Sequence, residues 1–487
     1  MTSKQMGIKR SLGISFVTQY AELIINFVGV MILARIITSE EVGIYSVAAF
    51  LMALLHVFRD FGVAKYIISE DNLTPQKIRS ALGVAAILAW AVALVLFVNR
   101  GPLSRFYDEP QIRDILTVMS VSFAVTPIGS VLIALFRREM QLKKVAIVRI
   151  GSTLIQTACT IVLALYGFGA LSMAWSNLVG ILAFGVIAAL LRNPGTPLLP
   201  SFRKMREILR FGSVASLGSL MSTAGNNSPD VIIGKAISLE ATGYFSRANG
   251  LVQIFSKLIL GTVLPLVLPY FANLRREKGD IVKAYHLAIA NLTALAWPFF
   301  VVMAIMAPTI VRTLYGPNWD TSIPLVRLLC MAGIVSVLAS LANEVMIANG
   351  QIKTVTKLQL LSHPVRMLSI LVASQFGLVQ VAIAAILAET VTLSITSLFL
   401  YRTTRIGLVG VLRASMRSSV ITACSVVGPV LVMNCIAERD HPLLVLAVGG
   451  IGAAAGWLLG VYLSGHPIKH HLQQAKTWFV TNAFPGH

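Results

Sequence analysis

Apolar runs about as long as a bilayer is thick recur from one end of this chain to the other, and that recurrence excludes most folds. A helix needs roughly 20 apolar residues to cross the hydrocarbon core. Runs of that length fall at about 12–34, 43–64, 80–99, 114–135, 146–166, 170–191, 211–234, 243–270, 284–307, 323–346, 354–375, 378–401, 416–437 and 442–464. Hydrophobic residues make up 56% of the 487 and charged residues 12%, about half the charged share of a soluble domain. Within lipid each segment has to satisfy its own backbone N–H and C=O groups, which leaves helices as the solution. The expected fold class is an all-α polytopic membrane protein of about fourteen transmembrane helices.

The formal net charge of +20 would suggest nucleic acid in a soluble chain, but its placement excludes that partner. With the N-terminus on the cytoplasmic side, and with residues near span ends counted with the adjoining loop, that side and both tails hold 28 of the 40 Lys and Arg, the opposite side holds 9, and three (Arg59, Lys257 and Arg366) lie further within spans. The positive-inside rule therefore predicts a multi-pass protein of the bacterial cytoplasmic membrane with both termini in the cytoplasm. The runs FRREMQLKKVAIVR (136–149) and FRKMREILR (202–210) supply this bias and read as topology signals and contacts to membrane lipids. The first apolar run lacks a small-residue cleavage site, so it reads as a retained span.

Catalytic and cofactor signatures are missing. The sequence has no Walker loop, zinc-type His/Glu spacing or nucleophile elbow. Cys159, Cys330, Cys424 and Cys435 lie in or beside apolar runs without metal-ligand spacing, and the histidines of the C-terminal tail have no second ligand cluster. No cofactor and no metal are expected. A glycan polymerase or ligase would need a large external loop, and the longest here is about 15 to 18 residues, so the chain reads as a non-enzyme.

The chain is also written twice. ILARIITSEEVGIYS (32–46) reappears as IIGKAISLEATGYFS (232–246), with Ile32/Ile232, Ile37/Ile237, Glu40/Glu240, Gly43/Gly243 and Ser46/Ser246 identical at an offset of 200. RFYDEPQIRDIL (105–116) resembles TLYGPNWDTSIPLV (313–326), and YGFGALSMAW (166–175) resembles SQFGLVQVAI (374–383), near an offset of 208. Composition alone makes membrane helices look alike, but the matched Glu and Gly lie in a loop, where lipid imposes no similarity. The expected domains are two pseudo-symmetric six-helix lobes, at 1–192 and 211–405. A segment at 193–210, the linker NPGTPLLP followed by an amphipathic helix, joins them; a helix pair at 406–465 and a cytoplasmic tail at 466–487 complete the chain. Six spans per lobe make the repeats parallel, an arrangement that places a substrate path between halves.

Polar residues inside the spans form stripes. Ser15, Gln19, Glu22 and Asn26 step by four, three and four, hence one helical face. Ser219, Ser222 and Asn226 repeat that register in the second lobe. Span two carries His56, Arg59 and Asp60, and span eight carries Asn249, Gln253 and Lys257. A charge at mid-bilayer costs about 2.5–3.5 kcal/mol on insertion scales, so Arg59, Lys257 and Arg366 are expected to face a hydrated interior. The bland alternative is local pairing, as of Arg59 with Asp60, and snorkelling near span ends for Arg149, Arg247 and Arg327. The candidate substrate-binding set is Arg59, Lys257, Gln253, Asn249, Gln19, Asn26, Asn226 and Arg366. Glu22, Asp60, Asp230 and Glu389 are the candidates for ion coupling, with helix pairing as the competing role for Glu344 and Glu389.

Four segments carry a family resemblance: ILARIITSEEVGIYSV (32–47), FRDFGVAKYIIS (58–69), GTVLPLVLPYFANLRREKGD (261–280) and LYGPNWDTSIPLVRLL (314–329). Over roughly residues 8–405 the chain resembles the Wzx-type polysaccharide-repeat flippases, in the polysaccharide-transport branch of the multidrug/oligosaccharidyl-lipid/polysaccharide (MOP) superfamily. The resemblance implies a MATE-like bundle of two lobes around a cationic cavity. It further implies carriage of an undecaprenyl-pyrophosphate-linked oligosaccharide to the periplasmic leaflet by alternating access, with a polysaccharide polymerase and export machinery as further partners. An ion-coupled MATE-like exporter of small molecules or drugs is the alternative, and it calls for an acidic cavity where the central charges here lean positive.

Overall fold

A computed structural model describes residues 3–60, 63–70, 72–197, 199–202, 205–435, 441–469 and 473; the side chains of 3–12, 58–60, 65, 69 and 205–219 lie outside that description. The described secondary structure is helical throughout. In chain order it comprises α1 (Ser3–Leu33), α2 (Ser39–Asp60), α3 (Val63–Ser69), α4 (Pro75–Tyr107), α5 (Pro110–Val125), α6 (Pro127–Arg138), α7 (Leu142–Leu165), α8 (Ala170–Leu190), α9 (Met205–Ala236) and α10 (Leu239–Phe255). The second half of the chain contributes α11 (Gly261–Arg276), α12 (Ile281–Ile305), α13 (Ala307–Leu314), α14 (Ser322–Val337), α15 (Ala342–Ala348), α16 (Ile352–Ala373), α17 (Leu378–Thr404), α18 (Leu408–Cys435) and α19 (Pro442–Ser464). The chain divides into two compact units, Met1–Ser246 and Arg247–His487.

In unit 1 the duplicated loop motif becomes a helix crossing. A Cβ on Gly43 would lie 1.7 Å from the carbonyl oxygen of Leu239, and a Cβ on Gly243 would lie 1.8 Å from that of Ser39. Residues 39 and 239, like 43 and 243, are partners at the offset of 200, so the contact is reciprocal. Ser46 Oγ donates to Ser246 Oγ at 3.0 Å one turn further on. Both copies of the motif are needed because each supplies half of one close approach, which small residues permit and larger ones block.

The rest of unit 1 is built on the same economy. Thr74 caps α4, its Oγ1 accepting from the Lys77 N–H, with Pro75 in the first turn. Two apolar cores form at different levels: Val47, Leu96, Ile115 and Phe123 from α2, α4 and α5, and Ile67, Leu82, Phe136 and Val148 from α3, α4, α6 and α7. The helices α7 and α8 run antiparallel, with Gly180 against Gln156 and Thr160 Oγ1 donating to Ser176 Oγ at 2.7 Å. The pair α1 and α7 runs parallel, since Glu22 meets Arg149 and, further along both, Gly29 meets Thr157. A bend of 46° separates α5 from α6, where Pro127 has no N–H to continue the ladder.

Unit 2 centres on α12. Its Thr293 Oγ1 lies 2.9 Å from Ser418 Oγ of α18, and its Ala294 carbonyl accepts from Trp457 Nε1 of α19 at 2.7 Å. The helices α18 and α19 form a glycine seam, with Gly452 against Gly428, Gly456 against the Cys424 carbonyl and Gly460 against Ile421. Three glycines four residues apart on α19 let two backbones approach where lipid offers no hydrophobic drive to associate. The C-terminal helix pair is thus packed into the second unit through α12.

Several expectations change. Among the described residues 11 helices are long and apolar enough to cross a membrane, and 12 with the α5–α6 pair counted as one span, short of the fourteen read from the sequence. The two absent from that set are α9, whose described side chains begin at residue 220, and α16, which carries Lys353, Lys357, His363 and Arg366. Residues 205–210, expected to form an amphipathic helix of their own, are the first turns of α9, a helix of 32 residues. The linker before it is tied to the start of α4: the Ser201 N–H donates to the Arg79 carbonyl at 2.8 Å, and Gly83 leaves room for the Ser201 carbonyl oxygen. The helix α9 that follows packs on α2 and α4 of unit 1.

Candidate functional site

Unit 1 gathers charge on the polar face of α1. Glu22 Oε2 accepts from Arg149 Nη2 at 2.6 Å, with the Glu22 side chain 14% exposed and that of Arg149 39%. Arg137, at the end of α6, lies within electrostatic reach of both. Two guanidinium groups thus share one carboxylate, and the cluster keeps a net positive charge. Glu22 is nine residues into the described span Gly13–Leu33, roughly 14 Å along a helix rising 1.5 Å per residue, so the cluster has access to the depth of the hydrocarbon.

Its neighbours on α1 extend the polar face. Asn26 is exposed and bonds back to the Glu22 carbonyl at 2.8 Å, and Gln19 is half-buried one turn before Glu22. On α9 Asn226 is exposed and Asp230 half-buried. The His56 ring packs against Phe123 at 4.7 Å between centroids. Arg59 and Asp60 lie on the last turn of α2, with side chains outside the described ones, as are those of Ser219 and the tail histidines His470 and His471.

Unit 2 holds its candidates on two separate sets of helices. Asn249, half-buried, and Gln253, exposed, lie on α10. Lys257 is exposed within a π-helical turn, Ser256–Leu260, ahead of Pro265 in α11. A π turn widens the helix by a residue and rotates the next turns about the axis, a distortion common where function overrides regularity. Arg366 of α16 and Glu389 of α17 form an ion pair, Nη1 to Oε1 at 2.9 Å, with side chains 25% and 18% exposed. Arg366 keeps a buried Nε–H without a hydrogen-bond partner among the described residues. A residue expected to bind substrate and one expected to couple an ion are therefore joined to each other.

Sequence reasoning passed over Arg137 and gave Arg149 to snorkelling. Arg137 sits in the basic run 136–149, where its neighbours have structural duties: Arg138 donates to the Ile67 carbonyl at 2.8 Å, closing α3, and Lys144 donates to Asn193 Oδ1 at 2.6 Å. A single sequence carries no mark that separates Arg137 from them, because Glu22 and Arg149 are 127 residues apart.

The sequence model of a family described as polysaccharide biosynthesis protein matches residues 32–324. The chain belongs to that family. Lipopolysaccharide biosynthesis protein WzxC of Escherichia coli (strain K12) is 21% identical over 333 residues, 67% of each chain. Succinoglycan biosynthesis transport protein ExoT of Rhizobium meliloti (strain 1021) is 26% identical over 337 residues, 67% of this chain and 66% of the relative. The chain thus spans about two thirds of the length of these relatives. Among solved structures, lipid II flippase MurJ in an inward closed conformation superposes with a TM-score of 0.74 at 11% identity, covering 92% of this chain and 98% of that one. An inward-facing MATE family multidrug resistance transporter of the MOP superfamily gives 0.58 at 14% identity, over 83% and 98%. The family member is a multi-pass membrane protein with a MurJ- and MATE-like helical fold.

Proposed function

We propose that this chain is a flippase that moves an undecaprenyl-pyrophosphate-linked oligosaccharide repeat unit, for an exopolysaccharide, O-antigen or capsule, from the cytoplasmic to the periplasmic leaflet of the bacterial inner membrane by alternating access. The observation that carries the reading is the Arg137–Arg149–Glu22 cluster, in which guanidinium groups from α6 and α7 outnumber the one carboxylate they face on the polar side of α1. A lipid pyrophosphate is multiply anionic, and planar guanidinium groups pair with phosphate bidentately and strongly where water is scarce. Within unit 1 Gln19, Asn26 and Asn226 carry amide groups of the kind that hydrate a sugar; within unit 2 Asn249 and Gln253 do the same, and Lys257 adds a cation there. Membership of the polysaccharide biosynthesis family supports a cargo that carries sugar.

The MATE-like fold raises the export of cationic drugs as a second reading. Two of the four carboxylates it would use, Glu22 and Glu389, are engaged by arginines, which disfavours a cationic cargo.

The test is complementation of a deletion strain with Arg137→Gln, Arg149→Gln and Lys257→Ala. Surface polysaccharide is expected to fall by about an order of magnitude or more for the Arg137→Gln/Arg149→Gln pair, the loss of roughly 1.4 kcal/mol or more of headgroup binding, while lipid-linked repeat units accumulate. Normal output at normal expression in all variants would overturn the reading.

A further inference from the structure

A second cationic site lies in unit 1, away from the cluster on α1. A cavity of about 520 Å³ opens between the last turns of α4 and the first turn of α5, lined by Phe97, Val98, Arg100, Ser104, Arg105 and Arg113. Arg100 and Ser104, four residues apart, share a face of α4. Pro110, in the first turn of α5, brings Arg113 in from the other side.

The arginines are held ready and are not neutralised. Arg100 stands over the Phe97 ring at 3.7 Å from its centroid and donates to Thr117 Oγ1 at 3.1 Å. Arg105 and Arg113 are exposed and form no ion pair among the described residues. The nearby carboxylates are committed elsewhere: Asp108 faces Lys235 at 3.6 Å, and Glu109 accepts from the Gln111 N–H at 3.0 Å as the cap of α5. Asp114, exposed on α5, is one carboxylate against three guanidinium groups. The N-terminal end of α5 adds its own partial positive charge.

The duplicated fold does not require this charge. At the offset of 208, Arg100, Arg105 and Arg113 become Pro308, Thr313 and Thr321. The arginine of that second corner, Arg312, is neutralised by Asp320 through bonds of 2.9 and 3.2 Å from its Nε and 2.9 Å from Nη2. Three arginines at a corner that the charge bias places outside also run against that same bias, which keeps such residues on the cytoplasmic side. Beneath the cavity α4 turns outward an apolar strip of Leu94, Val95, Phe97 and Val98, each between 44% and 63% exposed.

We propose that this corner binds the phosphoryl headgroup of a lipid, with its chains lying along the α4 strip. A free sugar phosphate would use the arginines but leave the strip uncovered; an anionic amphiphile uses both. Two lipids present this chemistry, an anionic phospholipid and an isoprenyl pyrophosphate. The site does not depend on the cargo reading above.

The experiment uses the full chain purified in detergent, with retained lipid counted by native mass spectrometry against phosphatidylglycerol, phosphatidylcholine and farnesyl pyrophosphate. Wild type is expected to keep phosphatidylglycerol and shed phosphatidylcholine. Arg100→Gln/Arg105→Gln/Arg113→Gln is expected to bind the anionic lipids on the order of a hundred-fold more weakly, at about five-fold per cation removed. Arg105→Gln/Arg113→Gln, which alters exposed side chains alone, covers the case in which the triple variant fails to fold, and Arg105→Lys/Arg113→Lys is expected to restore most of the binding. Displacement of phosphatidylglycerol by farnesyl pyrophosphate at lower concentration than by phosphatidylglycerol itself identifies the isoprenoid as occupant; the reverse order identifies the phospholipid. Equal retention by wild type and the double variant for both anionic lipids would overturn the site.

Discussion

One methyl group is enough to test the crossing that the repeated motif builds. Gly43→Ala or Gly243→Ala would force a carbon to within 1.7 or 1.8 Å of a backbone oxygen, so α2 and α10 have to move apart. A loss of about 1–3 kcal/mol is expected from such overpacking, seen as a lower Tm of the purified protein. The double variant should cost less than the sum, since both changes open one crossing. Gly250→Ala, where a Cβ would meet nothing within 4 Å, is the control and should stabilise slightly. An unchanged Tm in Gly43→Ala would mean that the duplicated glycines serve no packing purpose. The identity of these glycines was legible in the sequence, because matched residues at the very ends of apolar runs escape the compositional pressure of lipid, although they lie in the opening turns of α2 and α10 and not in the loop expected of them. Their partners were not, since a carbonyl oxygen leaves no trace in residue type. The same limit hid the Glu22–Arg149 pair, which joins helices far apart in sequence, while the stripe that carries Glu22 was plain from its steps of three and four.

At the scale of the helix, the end of α19 carries a group that responds to pH. His466 comes directly after the left-handed cap Gly465 and is 1% exposed; its Nδ1 accepts from the Ile468 N–H at 3.2 Å, so its proton sits on Nε2. Burial, and then the charge of Arg417, hold its pKa below the usual histidine value, against a smaller upward pull from the Ala290 backbone. The folded protein therefore keeps this imidazole neutral, while the unfolded chain takes up a proton near pH 6.5. Its contribution to stability is complete above about pH 6.5 and falls as the pH drops below that value towards the lower folded pKa. The Tm is expected to decline between pH 7.5 and 5.5, and to decline less in His466→Asn, whose amide oxygen keeps the acceptor for Ile468 but does not titrate. Equal slopes would remove His466 from the account. The sequence marked α18 and α19 as an addition to the repeat. It did not indicate that Thr293, Ala294 and Ser418 tie the pair to α12, because those hydroxyl and carbonyl contacts sit on helices whose apolar character reads the same all round.

For the molecule as a whole, the open question is how often the chain crosses the bilayer, and α9 decides it. Its start adjoins the Arg79 end of α4, where Ser201 bonds the Arg79 carbonyl, and its end adjoins the other end of α4, where Lys235 faces Asp108 and Tyr107 Oη donates to the Val231 carbonyl at 3.3 Å. A helix of 32 residues is about 48 Å long, more than the hydrocarbon thickness of roughly 30 Å. Both ends of α4 are thus both ends of α9, and if α4 spans, α9 spans too, whatever its polar stripe costs it in apolarity. Single cysteines at Gly195, Asp108 and Ser238 in a cysteine-free background test this with a membrane-impermeant maleimide on intact cells. The charge bias predicts labelling at 108 and 238 from outside and protection at 195 until the cells are opened. Labelling of 195 and 238 from the same side would make α9 a non-spanning helix and turn every later segment over. It would also put the basic loop at 275–283 on the outside, and with it the positive-inside logic that assigned both termini to the cytoplasm would fail.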